Sequence, residues 1–324
     1  MSPLLEVKGL SVSFRTASGL LPVVADLGFE LAAGGSLGLV GESGSGKSVT
    51  ALALLGLHDE ATTRTEGSVR LEGRELLGLP DAALRPLRGA QVGLVFQDPL
   101  AALDPSLRVG AQVGEALAIH QRLARAERRT RVLTLLGEVG LPRPGELVDA
   151  FPHQLSGGQR QRVMIAAALA CGPALLIADE PTTALDVTLQ AQLMELLTRL
   201  RLARGMGLLL ISHDLALVAE HCDQVVVLYA GRMVERGPTR QVFERPAHPY
   251  TAGLVACSPR LGQGPARLPA LPGTAPDRSA LPSGCRFRPR CALAQARCAE
   301  EEPAWQVRGD GRGHRCHFPL QGPP

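Results

Sequence analysis

Residues 41–48 read Gly41-Glu42-Ser43-Gly44-Ser45-Gly46-Lys47-Ser48 and follow an apolar stretch, 36–40, that reads as a buried strand. A G-x-x-x-x-G-K-[ST] turn between a strand and a helix constrains the fold more than any other feature of this chain. Its glycines let successive backbone N–H groups converge on phosphate oxygens, and the following helix points its positive end at the same anion. A chance glycine-rich turn is the bland alternative; the strand before it and the helix after it argue against that. The stretch Gly41, Ser43, Gly44, Ser45, Gly46, Lys47, Ser48 and Val49 is the candidate phosphate cradle, with Lys47 reaching the terminal phosphates and the Ser48 hydroxyl on Mg²⁺.

Composition sets the bounds. The chain has 324 residues, enough for one large domain or two smaller ones. Apolar residues make up 45% and charged residues 20%, so a packed core is expected. A formal net charge of +3 argues against a nucleic-acid partner held by bulk charge. The 34 basic residues include only two lysines, Lys8 and Lys47, so an arginine-rich chain keeps a compact ammonium in the glycine-rich turn. The N-terminus has no basic region followed by an apolar stretch, so no signal peptide is expected. The longest apolar run, 163–178, is broken by Gly172-Pro173 and is no membrane span of about 20 apolar residues. A soluble, intracellular chain is expected, brought to any membrane by another subunit.

Strand patterns appear at 4–14, 23–31, 36–40, 68–71 and 92–96, with a helix over 46–57. From 99 to about 154 the spacing turns helical, at 109–117 and 127–139, and Pro142-Arg143-Pro144-Gly145 breaks it. Helices at 159–170, 189–203 and 215–221 then alternate with strands at 174–178, 207–212 and 224–228. Such alternation implies a largely parallel sheet covered on both faces. Residues 259–284 are rich in Pro, Gly and Ala and read as an irregular linker. Beyond them lie Trp305 and four of the seven cysteines.

Two further segments carry chemistry. Leu175-Leu176-Ile177-Ala178-Asp179-Glu180 is an apolar strand ending in two acids, and strand ends in such sheets face the ligand crevice. Asp179 suits Mg²⁺, and Glu180 suits orienting and deprotonating an attacking water. Leu155-Ser156-Gly157-Gly158-Gln159 opens a helix and forms a second anion cradle.

With that L-S-G-G-Q segment, residues 4–240 resemble the ATP-binding-cassette ATPases. The resemblance implies a RecA-like P-loop α/β core with an antiparallel β subdomain and a helical signature subdomain at about 98–158, the whole domain spanning 1–240. It implies a head-to-tail dimer, in which Ser156, Gly157, Gly158 and Gln159 of one chain close on ATP held by the other. Gln97 matches the Q-loop residue that senses Mg²⁺ and the attacking water. Asp186, in Ala184-Leu185-Asp186, matches the D-loop at the dimer interface. His213 matches the switch histidine on the γ-phosphate. Phe14 stands where the family stacks an aromatic on adenine, with a core-strand role as the alternative. The implied catalytic set is Lys47, Gln97, Glu180 and His213. Ser48, Gln97 and Asp179 are the implied Mg²⁺ ligands, and no position in either set departs from the family pattern.

Gly237-Pro238 and Val242-Phe243-Glu244-Arg245-Pro246-Ala247-His248-Pro249-Tyr250-Thr251 resemble the extension of ATPases from dipeptide and oligopeptide importers, here over 241–284. Read without the family, the segment is a helix followed by a Pro-rich connector. Cys285, Cys291, Cys298 and Cys316 follow in a small module, 285–324, spaced C-x5-C-x6-C-x17-C. The common zinc pattern has closer cysteine pairs, and the common ferredoxin spacings differ too. Resemblance to the tails of peptide-importer ATPases implies a [4Fe–4S] cluster on these four residues, with Zn²⁺ or free thiols as alternatives.

The expected protein is therefore the ATP-hydrolysing, energy-coupling subunit of a di- or oligopeptide importer, with ATP and Mg²⁺ as cofactors. Importers of nickel or glutathione share the extension and are the alternative cargo classes. The implied partners are a sister ATPase, two membrane permease subunits and, indirectly, a substrate-binding protein, at the cytoplasmic membrane face. A cassette ATPase acting on DNA or ribosomes is disfavoured, because the interval from Gly41 to Ser156 is modest and holds no long coiled coil. A redox protein binding nucleotide incidentally is disfavoured by the full catalytic series.

Overall fold

The structure is a computed structural model that describes residues 2–183, 185–258 and 270–321. It divides into two compact units, one of Met1–Ala32, Ser36–Gly78 and Leu210–Pro324, the other of Ala33–Gly35 and Leu79–Leu209.

The first unit holds a four-stranded antiparallel sheet, in spatial order Gly19–Leu31, Leu5–Thr16, Thr63–Leu71 and Arg74–Glu75. Leu5 pairs with Leu31 on one side and with Leu71 on the other. Alternation along Leu5–Thr16 buries Leu5, Val7, Leu10 and Val12, as a sheet with one face on the core requires. A second set of strands runs Gln306–Val307, Gly313–His314, Arg232–Pro238, Gln224–Tyr229 and Ser36–Val40. Ser36–Val40 is buried at every position and parallel to Gln224–Tyr229, which explains its unbroken apolar character. Gly38 allows that burial: a Cβ there would stand 2.3 Å from a Val218 methyl on the helix Leu215–His221.

The helix after the phosphate loop spans Lys47–Leu54, shorter than the 46–57 expected, because Gly56 adopts a left-handed φ of 58° and stops it. The strand Arg232–Pro238 escapes a periodicity reading, since Glu235, Arg236, Gly237 and Pro238 lack strand character. It forms because Gln224–Tyr229 pairs with it from one side and Gly313–His314 from the other. The tail thus adds strands to the cassette's own sheet. Of the expected irregular linker, 259–269 lies outside the described residues, and 270–283 contains neither helix nor strand.

The second unit is built on the parallel pair Val92–Val95 and Leu175–Asp179, in register from Val92 with Leu175 to Val95 with Ala178. Around it lie the helices Val109–Ala116, Arg125–Glu138, Gly157–Ala168 and Val187–Arg204. The first continues as a π-turn, Leu117–Gln121, and Arg122 leaves it with a left-handed φ of 52°. Leu117, Leu136, Val163, Ile165, Leu176 and Ile177 are fully buried.

The segment 247–250 is fastened by buried polar groups of the first unit. The Glu235 carboxylate, 0% exposed, accepts from the Ala247 N–H at 2.7 Å and the His248 N–H at 2.9 Å. His248 Nδ1 accepts from the Tyr250 N–H at 3.0 Å and caps the helix Pro249–Cys257. Burial holds His248 neutral by lowering its pKa to about 3, with His314 adding to the effect. A folded pKa below the unfolded value of about 6.5 gives stability that is present above pH 6.5 and lost as pH falls toward 3. Between pH 6.5 and 5 this one group should cost about 2 kcal/mol. His248→Asn keeps a capping acceptor but cannot titrate, so its unfolding free energy should be flatter by that amount over the window. Urea unfolding of both proteins at pH 7 and 5 checks this; parallel pH slopes would rule it out.

Candidate functional site

In the first unit the phosphate loop turns on glycines. Gly41, Gly44 and Gly46 have φ of 154°, 72° and 105°. At Gly41 a Cβ would also lie 2.2 Å from the Leu228 carbonyl oxygen, so a side chain there would push the loop off its neighbouring strand. Lys47 is 5% exposed, and its ammonium donates to the carbonyls of Gly41 at 2.8 Å and Glu42 at 3.1 Å. It is thereby held within the loop. Ser43 and Gly44 are exposed, Ser48 and Val49 half-buried. The Thr50 hydroxyl and N–H both return to the Gly46 carbonyl.

Phe14 lies half-buried two residues before the end of its strand and packs edge-on against His58 with ring centroids 5.7 Å apart. His58 Nε2 lies 2.9 Å from the Val49 carbonyl oxygen, so it links Phe14 to the helix that follows the loop. The sequence reading missed His58, because nothing in its surroundings marks it. His213 is exposed just past the strand Gly207–Ser212, beside Asp214, which caps the next helix by accepting from the Ala216 and Leu217 N–H groups.

In the second unit Asp179 is buried at the end of its strand, and Glu180 follows with a left-handed φ of 46°. Backbone strain at a non-glycine residue of this kind clusters at functional positions. Gln97 and Glu180, 83 residues apart, come together: the Gln97 amide donates to the Glu180 carboxylate at 3.0 Å. The Thr183 hydroxyl donates to the same oxygen at 3.2 Å. The amide and hydroxyl aim the carboxylate, as a group that must orient a water requires.

Ser156 caps the helix Gly157–Ala168 reciprocally: its hydroxyl accepts from the Gln159 N–H, and the Gln159 side chain accepts from the Ser156 N–H. The helix begins two residues earlier than expected. Ser156 and Gly157 are exposed, and Gly158 and Gln159 half-buried. Asp186 caps Val187–Arg204 by accepting from the Leu189 N–H at 2.9 Å. Ala184 lies outside the described residues.

The tail packs against the phosphate loop within the first unit. The Glu42 N–H donates to the Tyr250 hydroxyl at 2.9 Å, and the Arg290 guanidinium grips the Glu42 carboxylate with both terminal nitrogens, at 2.6 and 2.9 Å. Arg278 donates to the Gly44 and Val23 carbonyls. No sequence signal marks Tyr250, Arg278 or Arg290 as loop contacts, because they lie over 200 residues away.

Cys285, Cys291, Cys298 and Cys316 line one cavity together with Phe287 and His248. None of the four is in a disulfide, and burial pushes the Cys316 thiol up to about 11, helped by the other three. Among the described residues no three His, Cys, Asp or Glu side chains are gathered tightly enough to hold a metal ion. The metal centre expected on these cysteines is therefore not seen: Cys298 comes from the short helix Arg297–Glu300 and the other three from irregular segments, and they border a cavity instead of converging on one coordination sphere. Four soft sulfur donors around one cavity are the donor type that iron–sulfur and zinc chemistry use.

The chain matches two described families: ABC transporter, over residues 24–183, and oligopeptide/dipeptide transporter, C-terminal region, over residues 234–298. A putative peptide import ATP-binding protein of Brucella abortus (strain 2308) is 52% identical over 97% of this chain and 95% of its own length. The chain belongs to the ATP-binding subunits of the dipeptide/oligopeptide ABC transporter family. The dipeptide transport ATP-binding protein DppD of Escherichia coli (strain K12) is 47% identical over 98% of this chain and 97% of its own. Among solved structures, the ATP-binding cassette MJ0796, a dimer bound to ADP and Pi, superposes with a TM-score of 0.66 at 28% identity, covering 73% of this chain and 99% of that one. The fold is therefore that of a P-loop cassette ATPase, and ATP and Mg²⁺ binding belong to it.

Glu180→Gln keeps the hydrogen-bonding shape but removes the carboxylate that could take a proton from water. It should lower ATP turnover by about 10²-fold or more while nucleotide binding persists. Turnover and binding measured on the same preparation decide it: near-normal turnover would remove Glu180 from that role.

Proposed function

We propose that this chain is the energy-coupling ATPase of a di- or oligopeptide importer, with nickel or glutathione importers as the alternative. The observation that carries the reading is identity of 47% to 52% with peptide-import and dipeptide-transport subunits along almost the whole chain, tail included.

The roles follow from the site. The loop amides and Lys47 bind the ATP phosphates, and Phe14 supports the adenine. Ser48, Gln97 and Asp179 offer hydroxyl, amide and carboxylate oxygens, a donor set that suits Mg²⁺, which neutralises phosphate charge when bound. Glu180, aimed by Gln97 and Thr183, orients and deprotonates water. His213 contacts the γ-phosphate. The exposed Ser156 and Gly157, with Gly158, Gln159 and Asp186, serve a partner cassette. Among the described residues no helix is long and apolar enough to cross a membrane. Work at the cytoplasmic membrane face then depends on two permease subunits. A sister ATPase completes the pair, and a binding protein delivers cargo to the permease.

The domain reading, 1–240 as cassette, 241–284 as extension and 285–324 as cysteine module, is part of this proposal. So is a [4Fe–4S] cluster on the four cysteines, with zinc as the alternative; the sulfur donor set and shared cavity support it. Iron, sulfide and zinc analysis of anaerobically prepared protein tests that part, and four free thiols without metal would end it.

Reconstitution of the chain with permease subunits, sister ATPase and binding protein in lipid tests the main reading. Di- and tripeptides should stimulate ATP hydrolysis severalfold above a Glu180→Gln blank. Stimulation by nickel chelates or glutathione alone would keep the motor and change the cargo.

A further inference from the structure

The phosphate loop carries one acidic side chain, Glu42, immediately beside the position where a polyphosphate binds. An unneutralised carboxylate there repels the ligand, and the repulsion is strong wherever solvent is partly excluded. In this chain the carboxylate is answered from the C-terminal module. Arg290, with its side chain 5% exposed, forms the two-pronged ion pair with Glu42, which is 29% exposed. Its Nε donates to the Pro272 carbonyl at 2.7 Å, which fixes the plane of the fork. The rings of Tyr229 and Phe287 face the same guanidinium, with its central carbon 5.7 and 5.9 Å from their centroids. Tyr250 packs on both rings and receives the Glu42 N–H through its hydroxyl. Arg290 is thus locked in one orientation by groups that have no part in hydrolysis. Cys291 is its chain neighbour, so the arginine belongs to the thiol-lined module as much as to the loop.

We propose that Arg290 is a positioning residue for ATP binding, which neutralises Glu42 and fixes the phosphate loop, so that the C-terminal module sets nucleotide affinity. The proposal rests on the ATP-binding reading and deepens it. A buried guanidinium held by a fork, two rings and a backbone carbonyl is more than a surface ion pair, which contributes little. Its effect falls on binding, because Glu42 stands in the loop and not among the groups that activate water.

The test uses the full chain and MgATP, with KD from calorimetry and KM and kcat from turnover in the assembled transporter. Arg290→Met should raise KD and KM for ATP about tenfold and leave kcat within about twofold. In Glu42→Gln/Arg290→Met the charge needing neutralisation is gone, so affinity should return to within about threefold of the parent. A folded Arg290→Met protein that binds ATP like the parent would overturn the proposal. So would a double variant as weak as the single one, since the arginine would then act by packing alone. Should Arg290→Met fail to fold, Arg290→Lys keeps the charge but loses the fork. It should raise KD about threefold, and unchanged affinity would count equally against the proposal. Lys47→Ala in the same assay separates the two readings. A parent protein that binds ATP no better than Lys47→Ala would indict the nucleotide site itself, not the role of Arg290.

Discussion

The phosphate loop needs its backbone acceptors occupied if its N–H groups are to stay aimed at an anion. Its glycines permit the shape but also leave it loose, since glycine loses the most conformational freedom on ordering. The structure meets that requirement acceptor by acceptor. Gly41 and Glu42 carbonyls take the Lys47 ammonium, Gly44 takes Arg278, Ser45 takes the Gly231 N–H, and Gly46 takes Thr50. Only Lys47 and Thr50 are local. Gly231 follows a core strand, and Arg278 stands beyond the helices of the extension. The rest of the first unit is arranged to hold this turn in place.

That arrangement gives the C-terminal extension a physical role in the cassette. Its strand Gly313–His314 joins the sheet through Glu235 and Arg236. Glu235 in turn fixes 247–248, and the Tyr250 hydroxyl reaches the loop. Burial of Glu235 raises its pKa and burial of His248 lowers its own, so both groups are pushed toward neutrality where solvent is absent. The His-Pro-Tyr segment is a cap, a helix start and a strut in three consecutive residues.

The second unit shows the same economy at Glu180. A strained backbone and two hydrogen-bond donors hold one carboxylate. Gln97 stands two residues before the short helix Pro99–Ala102, at the entry to the helical region, so movement there bears directly on that hydrogen bond.

Much of this was legible in the residues. The glycine-rich turn after 36–40, the apolar strand ending at Asp179, and the capped helix after Leu155 each follow from local chemistry: φ freedom, burial and end-capping act within a few residues. Helix limits were read less well at Gly56 and Ser156, where one capping residue decides the boundary. The strand Arg232–Pro238 was not legible, because pairing on both sides overrides its composition, and the two-residue strands of the tail are too short for any period. That the four thiols border one cavity was not legible either, since spacing along a chain does not set distances between its segments. The sequence by itself determined the nucleotide chemistry, because phosphate recognition is written in contiguous backbone. Only the tertiary structure decided that Arg290 answers Glu42, because an ion pair across 248 residues depends on packing that no local pattern encodes.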